Sequence, residues 1–516
     1  MWVFVSRHTG AELWVVRLSL RESGDPRPSI TKSEVLTSVH GRDNSEMFRL
    51  WSRCCYLGVT LVGQAGSVAS SECETGKWRN QMTTSISDVA HLLRRAGFGG
   101  TNAEIERFAT LDLAEIIDRL LDDANAPQPA KPADVSAPNK ADWEQYVALG
   151  NWWFDHMATT PVPLLEKVTL FWHGHLTSAY EKVGYTDYLW RLHATQRAHA
   201  LGNIRTMVQK CAVEPAMLVY LDNANSVKAA PNQNFAREML ELFLLGVGNY
   251  GETEVESCAR AWSGHNVNWT TEQYQFNPDQ HDIGSKSFFG VSRNWDGPQL
   301  IDFLFDDPTQ RLQVARFLSA KLWSFFAHPN PPAGVVTDLA NVMYANTFEM
   351  KPVLRALFLR PEFYEQTAKQ GLVRSPVEYL VSIMRASGLR SVDAEPMQFS
   401  AGLGQEPFNP PNVSGWRQNK YWITSGTADV KSLWASRINW VASAQNRDIF
   451  RDIPSLPLTL AIDTALARVG ITEPSTQSKN ALTQWLMEQR AAPNDGWFER
   501  LGFTIFVMLL PELQLA

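Results

Sequence analysis

The chain has 516 residues, 44% of them hydrophobic and 20% charged, with a formal net charge of -7 at pH 7. This length exceeds one usual hydrophobic core, so two helical lobes, 82–300 and 301–516, or one domain with extensions are expected, while the ordinary composition excludes extended disorder and integral membrane segments. Acidic and basic residues are interspersed without a basic face, which argues against nucleic acid as a partner.

Residues 1–81 read as an atypical N-terminal extension, mixing a β-like stretch, Leu13 to Leu20, with polar segments and no sustained helical period. The helical pattern begins after Met82, and translation starting there gives a cytoplasmic protein. The alternative is an exported protein whose leader starts at Met47, with Arg49 and Arg53, an apolar stretch from Cys54 to Gly63, and a small-residue cleavage site at Ser67 to Ala69. Gly58, Thr60 and Gly63 interrupt that stretch, which favours the first reading.

From Ser85 the signals are repeatedly helical. Asp88 to Arg95 leads to a stop at Gly97 and Gly99, and Ala124 to Asp142 reads as an exposed connection. Thr253 with Glu256, and Ser375 with Pro376 and Glu378, have the spacing of capping boxes. Asp307-Pro308 opens an amphipathic run through Phe326, with Val314, Phe317, Leu318, Leu322 and Phe325 near helical spacing. Pro407, Pro410, Pro411 and Gly415 break the pattern between Gln405 and Trp422, and helices resume near Thr427. Strands and helices do not alternate, so the expected fold is all-α: a large multi-helix globular domain over 82–516 with long irregular loops.

The cysteines Cys54, Cys55, Cys73, Cys211 and Cys258 lack the close paired spacing of a zinc ribbon or redox dithiol. Cys211 and Cys258 stand in apolar helix-like surroundings, where a free thiol packs as a small hydrophobe; a bridge between them is the alternative. The nineteen tryptophans fit buried aromatics at helical spacing, the alternative being platforms for sugars or flat ligands.

Three segments carry candidate chemistry. His173-Gly174-His175 closes the apolar run Val168 to Trp172, and two imidazoles offer two metal ligands. Helix neighbours two apart point about 200° apart, so both reach one ion only if the helix unwinds at Gly174. Otherwise they hydrogen-bond at a helix C-terminus, where imidazolium also suits the dipole. In Pro231 to Phe243, Asn234, Glu238 and Glu241 form a polar stripe on an otherwise apolar helix; facing inward, these carboxylates need a cation, either Arg237 paired to Glu241 or a metal. In His281 to Lys286, His281 and Asp282 are placed to ligate or orient and Lys286 to hold an anion, unless Asp and Gly serve only the turn. Asp222, Asn223, His265 and Asn266 add polar groups that would converge on the same place. No phosphate-binding glycine loop, His-Glu-x-x-His or Gly-x-Ser-x-Gly occurs, which removes several common enzyme classes.

His91 to Gly99, Phe171 to Thr177, Asn232 to Gly246, Glu252 to Gly264, His281 to Gly290, Leu403 to Pro411 with Gly415-Trp416, and Met508 to Gln514 follow one another in a distinctive order. In that order the chain, over Met82 to Ala516, resembles a bacterial family catalogued as domain of unknown function eighteen hundred. The resemblance implies a large helical domain, often exported, and often encoded beside a sulfatase-like or phosphatase-like protein that would be its partner. It also places His173, His175, Asn234, Arg237, Glu238 and His281 within family motifs, implying one shared polar site.

The leading expectation is therefore a metal-dependent hydrolase. His173, His175 and a carboxylate of Glu238 or Glu241 would hold a divalent ion, zinc, manganese or iron, with His281 completing the set. The ion would activate water, Arg237 or Lys286 would steady a developing anion, and Asp282 is a further catalytic candidate. The alternatives are a non-catalytic helical scaffold assisting that neighbouring protein, and a carbohydrate-binding protein using exposed tryptophans, an idea that weakens if Trp416 and Trp422 are buried. The first expectation has spatial content: the three segments should meet, with His173 or His175 close to Glu238 or His281.

Overall fold

The computed structural model describes residues 2–6, 13–17, 84–135, 142–445, 449–491 and 497–516. The chain divides into two units, Met1–Trp78 and Arg79–Ala516. In the first, β1 (Trp2–Ser6) pairs antiparallel with β2 (Leu13–Arg17). Met82, Cys54, Cys55, Cys73 and the Met47 to Ala69 leader lie outside the described residues.

The second unit is mainly α-helical, as its periodicity predicts, and among the described residues no helix is long and apolar enough to cross a membrane. α1 (Ile86–Arg95) starts where Ser85 accepts from the Asp88 amide and turns Val89, Leu92 and Leu93 inward. α2 (Trp143–Thr159), α3 (Pro163–His175) and α4 (Thr186–His199) meet around Glu166. Its carboxylate accepts from Arg197 Nε at 2.6 Å and Trp153 Nε1 at 3.2 Å, and lies 3.1 Å from His156 Nε2. α3 is buried around its whole girth, so its one carboxylate requires that full set of donors.

The polar stripe of Asn234 to Glu241 does not stay on one regular helix. α5 (Gln233–Glu238) passes into a π-helical segment, Met239–Leu245, whose wider turn rotates the residues that follow. α6 (Glu252–Ala261) begins two residues earlier than a Thr253 cap would place it: Gly251 occupies the cap position and its amide donates to Glu254 at 2.9 Å. Two hairpins follow, β3 (His265–Asn268) with β4 (Gln273–Phe276) and β5 (Lys286–Phe288) with β6 (Val291–Arg293), both antiparallel.

α7 (Gly297–Asp306) leads into α8 (Pro308–Phe326), capped by Asp307 and burying Val314, Leu318 and Leu322. α9 (Pro376–Ser387) opens with the Ser375–Glu378 capping box. The irregular segment from Gln405 to Trp422 crosses the helical body, and α10 (Ser425–Ala444) resumes the helices. One hydrophobic cluster runs from Val89 to Leu513, so lobes 82–300 and 301–516 share a core. Cys211 and Cys258 are buried and unbridged, and burial pushes both thiols up, as packing residues behave.

Candidate functional site

α3 stays helical through Gly174, and its two motif histidines diverge. The His173 ring sits among Trp153, Phe408 and Trp416, and its Nε2 accepts from the Phe408 amide at 3.0 Å. His175 Nε2 donates to the Phe243 carbonyl, at 2.9 Å, on the π-helical segment. Burial, with His193 nearby, lowers His173 to about 3; burial, with Lys321 nearby, lowers His175 to about 4. Both rings are therefore neutral at pH 7, and the favourable imidazolium–dipole interaction does not operate. Two nitrogens aimed at different partners do not form one ligand pair.

The remaining expected ligands are also separate. Glu241 accepts from the Tyr250 hydroxyl, and Arg237 forms a two-pronged pair with Glu252, at 3.0 and 2.9 Å, instead of pairing with Glu241. Glu238 is half-buried; burial and the neighbouring Glu241 raise its carboxyl above the ordinary value. Asn234 donates to Asp222 at 3.1 Å. Asp282 is bound by Arg260, 2.7 Å from its Nε, and Lys286 donates to the Asp282 and Gly284 carbonyls and to Asn294 Oδ1. Lys286 thus ties its own loop together, with all three ammonium hydrogens engaged.

A different set converges at the first hairpin. Among the described residues, His265, His281 and Asp296 place one ligand atom each within 4.8 Å of the others. His265 and His281 are buried, while the Asp296 side chain is 37% exposed. The His265 Nε2 is 2.7 Å from Asp296 Oδ1, and its Nδ1 is 2.9 Å from the Tyr274 hydroxyl. His281 Nδ1 donates to the Ser263 carbonyl at 2.8 Å, which leaves Nε2 with a lone pair. Burial would raise the Asp296 carboxyl, but the hydrogen bond from His265 and the charge of that ring outweigh it and hold it below the ordinary value.

Gly264 makes this convergence sterically possible. Gly264 has φ +80, and a Cβ there would lie 2.6 Å from the Asn277 carbonyl and 2.9 Å from the His281 amide. That bare position lets the His281 loop close onto the strand carrying His265. Sequence reasoning singled out His281 and His265 but missed Asp296. Asp296-Gly297-Pro298 reads as a helix start, and nothing in that pattern reveals a partner 31 positions away.

Trp416 and Trp422 are each only 8% exposed, which weakens the expectation of a carbohydrate platform built on them. Both instead line a cavity of about 460 Å³ beside His175.

A family model described as protein of unknown function (DUF1800) matches residues 91–515. No curated protein and no solved structure matches the chain.

Proposed function

Because the chain belongs to the DUF1800 family, whose description assigns no reaction, its function must be argued from its own residues, and we propose a metal-dependent hydrolase with the ion held by His265, His281 and Asp296. The observation that carries this reading is the 4.8 Å convergence of two imidazoles and one carboxylate whose outer atoms are already oriented. Ligands on a tetrahedral ion stand roughly 3.3 Å apart when each is about 2 Å from it. Holding an ion would require the three atoms, within 4.8 Å of one another, to draw closer, and the 2.7 Å His265–Asp296 contact to open enough to admit it.

The surroundings suit a working ion. Tyr274 and the Ser263 carbonyl occupy the outer nitrogens of the two rings, fixing their orientation as ligand-supporting groups do. Three protein ligands with solvent on the Asp296 side leave a coordination position for water, the arrangement of catalytic rather than closed structural sites. Such an ion would supply water of lowered pKa and polarise a substrate carbonyl or phosphoryl oxygen. Mixed nitrogen and oxygen donors accept zinc, manganese or iron.

The second reading, a non-catalytic scaffold, is favoured by one specific observation: His173, His175, Arg237 and Lys286 all have structural partners. Calorimetric titration of zinc and of manganese into chelator-treated protein separates the two. The metal reading expects one saturable site per chain, lost in His281→Ala and retained in His175→Ala. No binding of either ion, or equal binding by His281→Ala, would favour the scaffold.

A further inference from the structure

The cavity beside the histidine motif is not part of the His265 cluster. Its volume, about 460 Å³, falls within the range of small-molecule sites. Its walls come from the end of α3, the π-helical segment, α8, and the irregular Gln405 to Trp422 segment. Phe317, Phe325, Trp416 and Trp422 supply flat apolar surface.

The charges on that wall do not balance. They are Arg95, Lys321 and Glu378. Glu378 is already engaged: it accepts from Lys167 and, at 2.7 Å, from the Ser375 amide. Arg95 uses Nε and Nη2 on the Phe326 and Phe325 carbonyls, at 2.6 and 2.5 Å, which satisfies hydrogen bonds but leaves its charge without a dedicated carboxylate. Lys321 stands 5.3 Å from the centre of the Phe317 ring and has no ion pair or hydrogen bond among the described residues. The surrounding protein desolvates its ammonium and lowers its pKa, although solvent still reaches the side chain. The neighbouring His175 offers no negative charge, since its ring is neutral and bonded to Phe243. An unpaired ammonium on the wall of an aromatic-lined cavity offers an outside anion a charged hydrogen-bond donor.

We propose that this cavity binds a small organic anion with a flat apolar body, its acidic group paired with Lys321 and its body against Trp416, Trp422 and Phe317. Lys321 on α8 sets the position of the acidic group, and the aromatic walls select a ring over an extended polar chain. The site is independent of the proposed metal centre, and testing it requires no metal.

The probe is 8-anilinonaphthalene-1-sulfonate, an aromatic anion, compared with the uncharged N-phenyl-1-naphthylamine, each followed by fluorescence titration of the folded full chain. The expected result is one saturable site for the anion, at least tenfold weaker in Lys321→Met and largely kept in Lys321→Arg. The uncharged probe should bind weakly and equally to all three proteins. Lys321 is exposed enough that its replacement leaves the fold intact, which circular dichroism checks in each variant. Absence of saturable anion binding, unchanged affinity in Lys321→Met, or equal affinity for both probes would overturn the proposal.

Discussion

The Trp262 ring lies against the bare α-carbon of Gly297, so closely that a Cβ on Gly297 would fall 2.5 Å from the indole. Trp262 in turn packs on His265, with ring centres 4.8 Å apart, so the start of α7 and the hairpin histidine are fixed through one indole. Gly297→Ala must therefore displace Trp262. The expected cost is about 1–3 kcal/mol of stability, as for other overpacked cores. Metal affinity should also weaken, because His265 loses its support. Urea unfolding checks the first effect and metal titration the second; unchanged values in both would show that the indole moves freely.

Lys167 and Glu378 form an ion pair linking α3 to the start of α9. Burial would raise the Glu378 carboxyl, but Lys167 and Arg95 beside it hold it down at about 2. Its folded pKa is thus depressed below the ordinary 4.5, so its contribution to stability is fully present above 4.5 and is lost as pH falls toward about 2. Lys167→Met leaves a buried carboxylate without its nearest cation and should cost about 3–5 kcal/mol at pH 7. In that variant the Glu378 carboxyl loses its main depressing charge, so the loss of stability between pH 4.5 and about 2 should shrink. Urea midpoints measured from pH 7 down to pH 2 test both effects, and a loss under about 1 kcal/mol at pH 7 would contradict the assigned role.

His173 and His175 are held neutral by burial, at about 3 and about 4. Neither imidazole should titrate between pH 5 and 8, where an unperturbed histidine changes charge. Nitrogen-detected NMR of the ring signals, assigned with His173→Gln and His175→Gln, should show no midpoint in that interval. A midpoint near the ordinary value of 6.5 would mean that one ring is open to water.

Much of the helical framework was legible from local signals. Ser85, Ser375 and Asp307 begin helices where their side chains cap free amides, and Pro407, Pro410 and Pro411 stop them. The divergence of His173 from His175 follows from helical geometry, and the sequence already made joint ligation conditional on unwinding at Gly174. The π-helical turn after Glu238 was not legible, because a 3.6-residue pattern cannot reveal one wider turn among mostly apolar residues. Thr253 misled because its spacing to Glu256 duplicates the actual Gly251 and Glu254 pair two positions earlier. The His265, His281 and Asp296 cluster depends on close approaches at Gly264 and Gly297, which are tertiary and leave only isolated glycines in the sequence.

A metal ion held by His265, His281 and Asp296 would be visible in crystals of the chain grown with zinc and measured at the zinc absorption edge. One strong anomalous peak is expected about 2 Å from His265, His281 and Asp296, absent from His281→Ala crystals. No peak at that cluster, or a peak bound at His173 or His175 instead, would contradict that assignment.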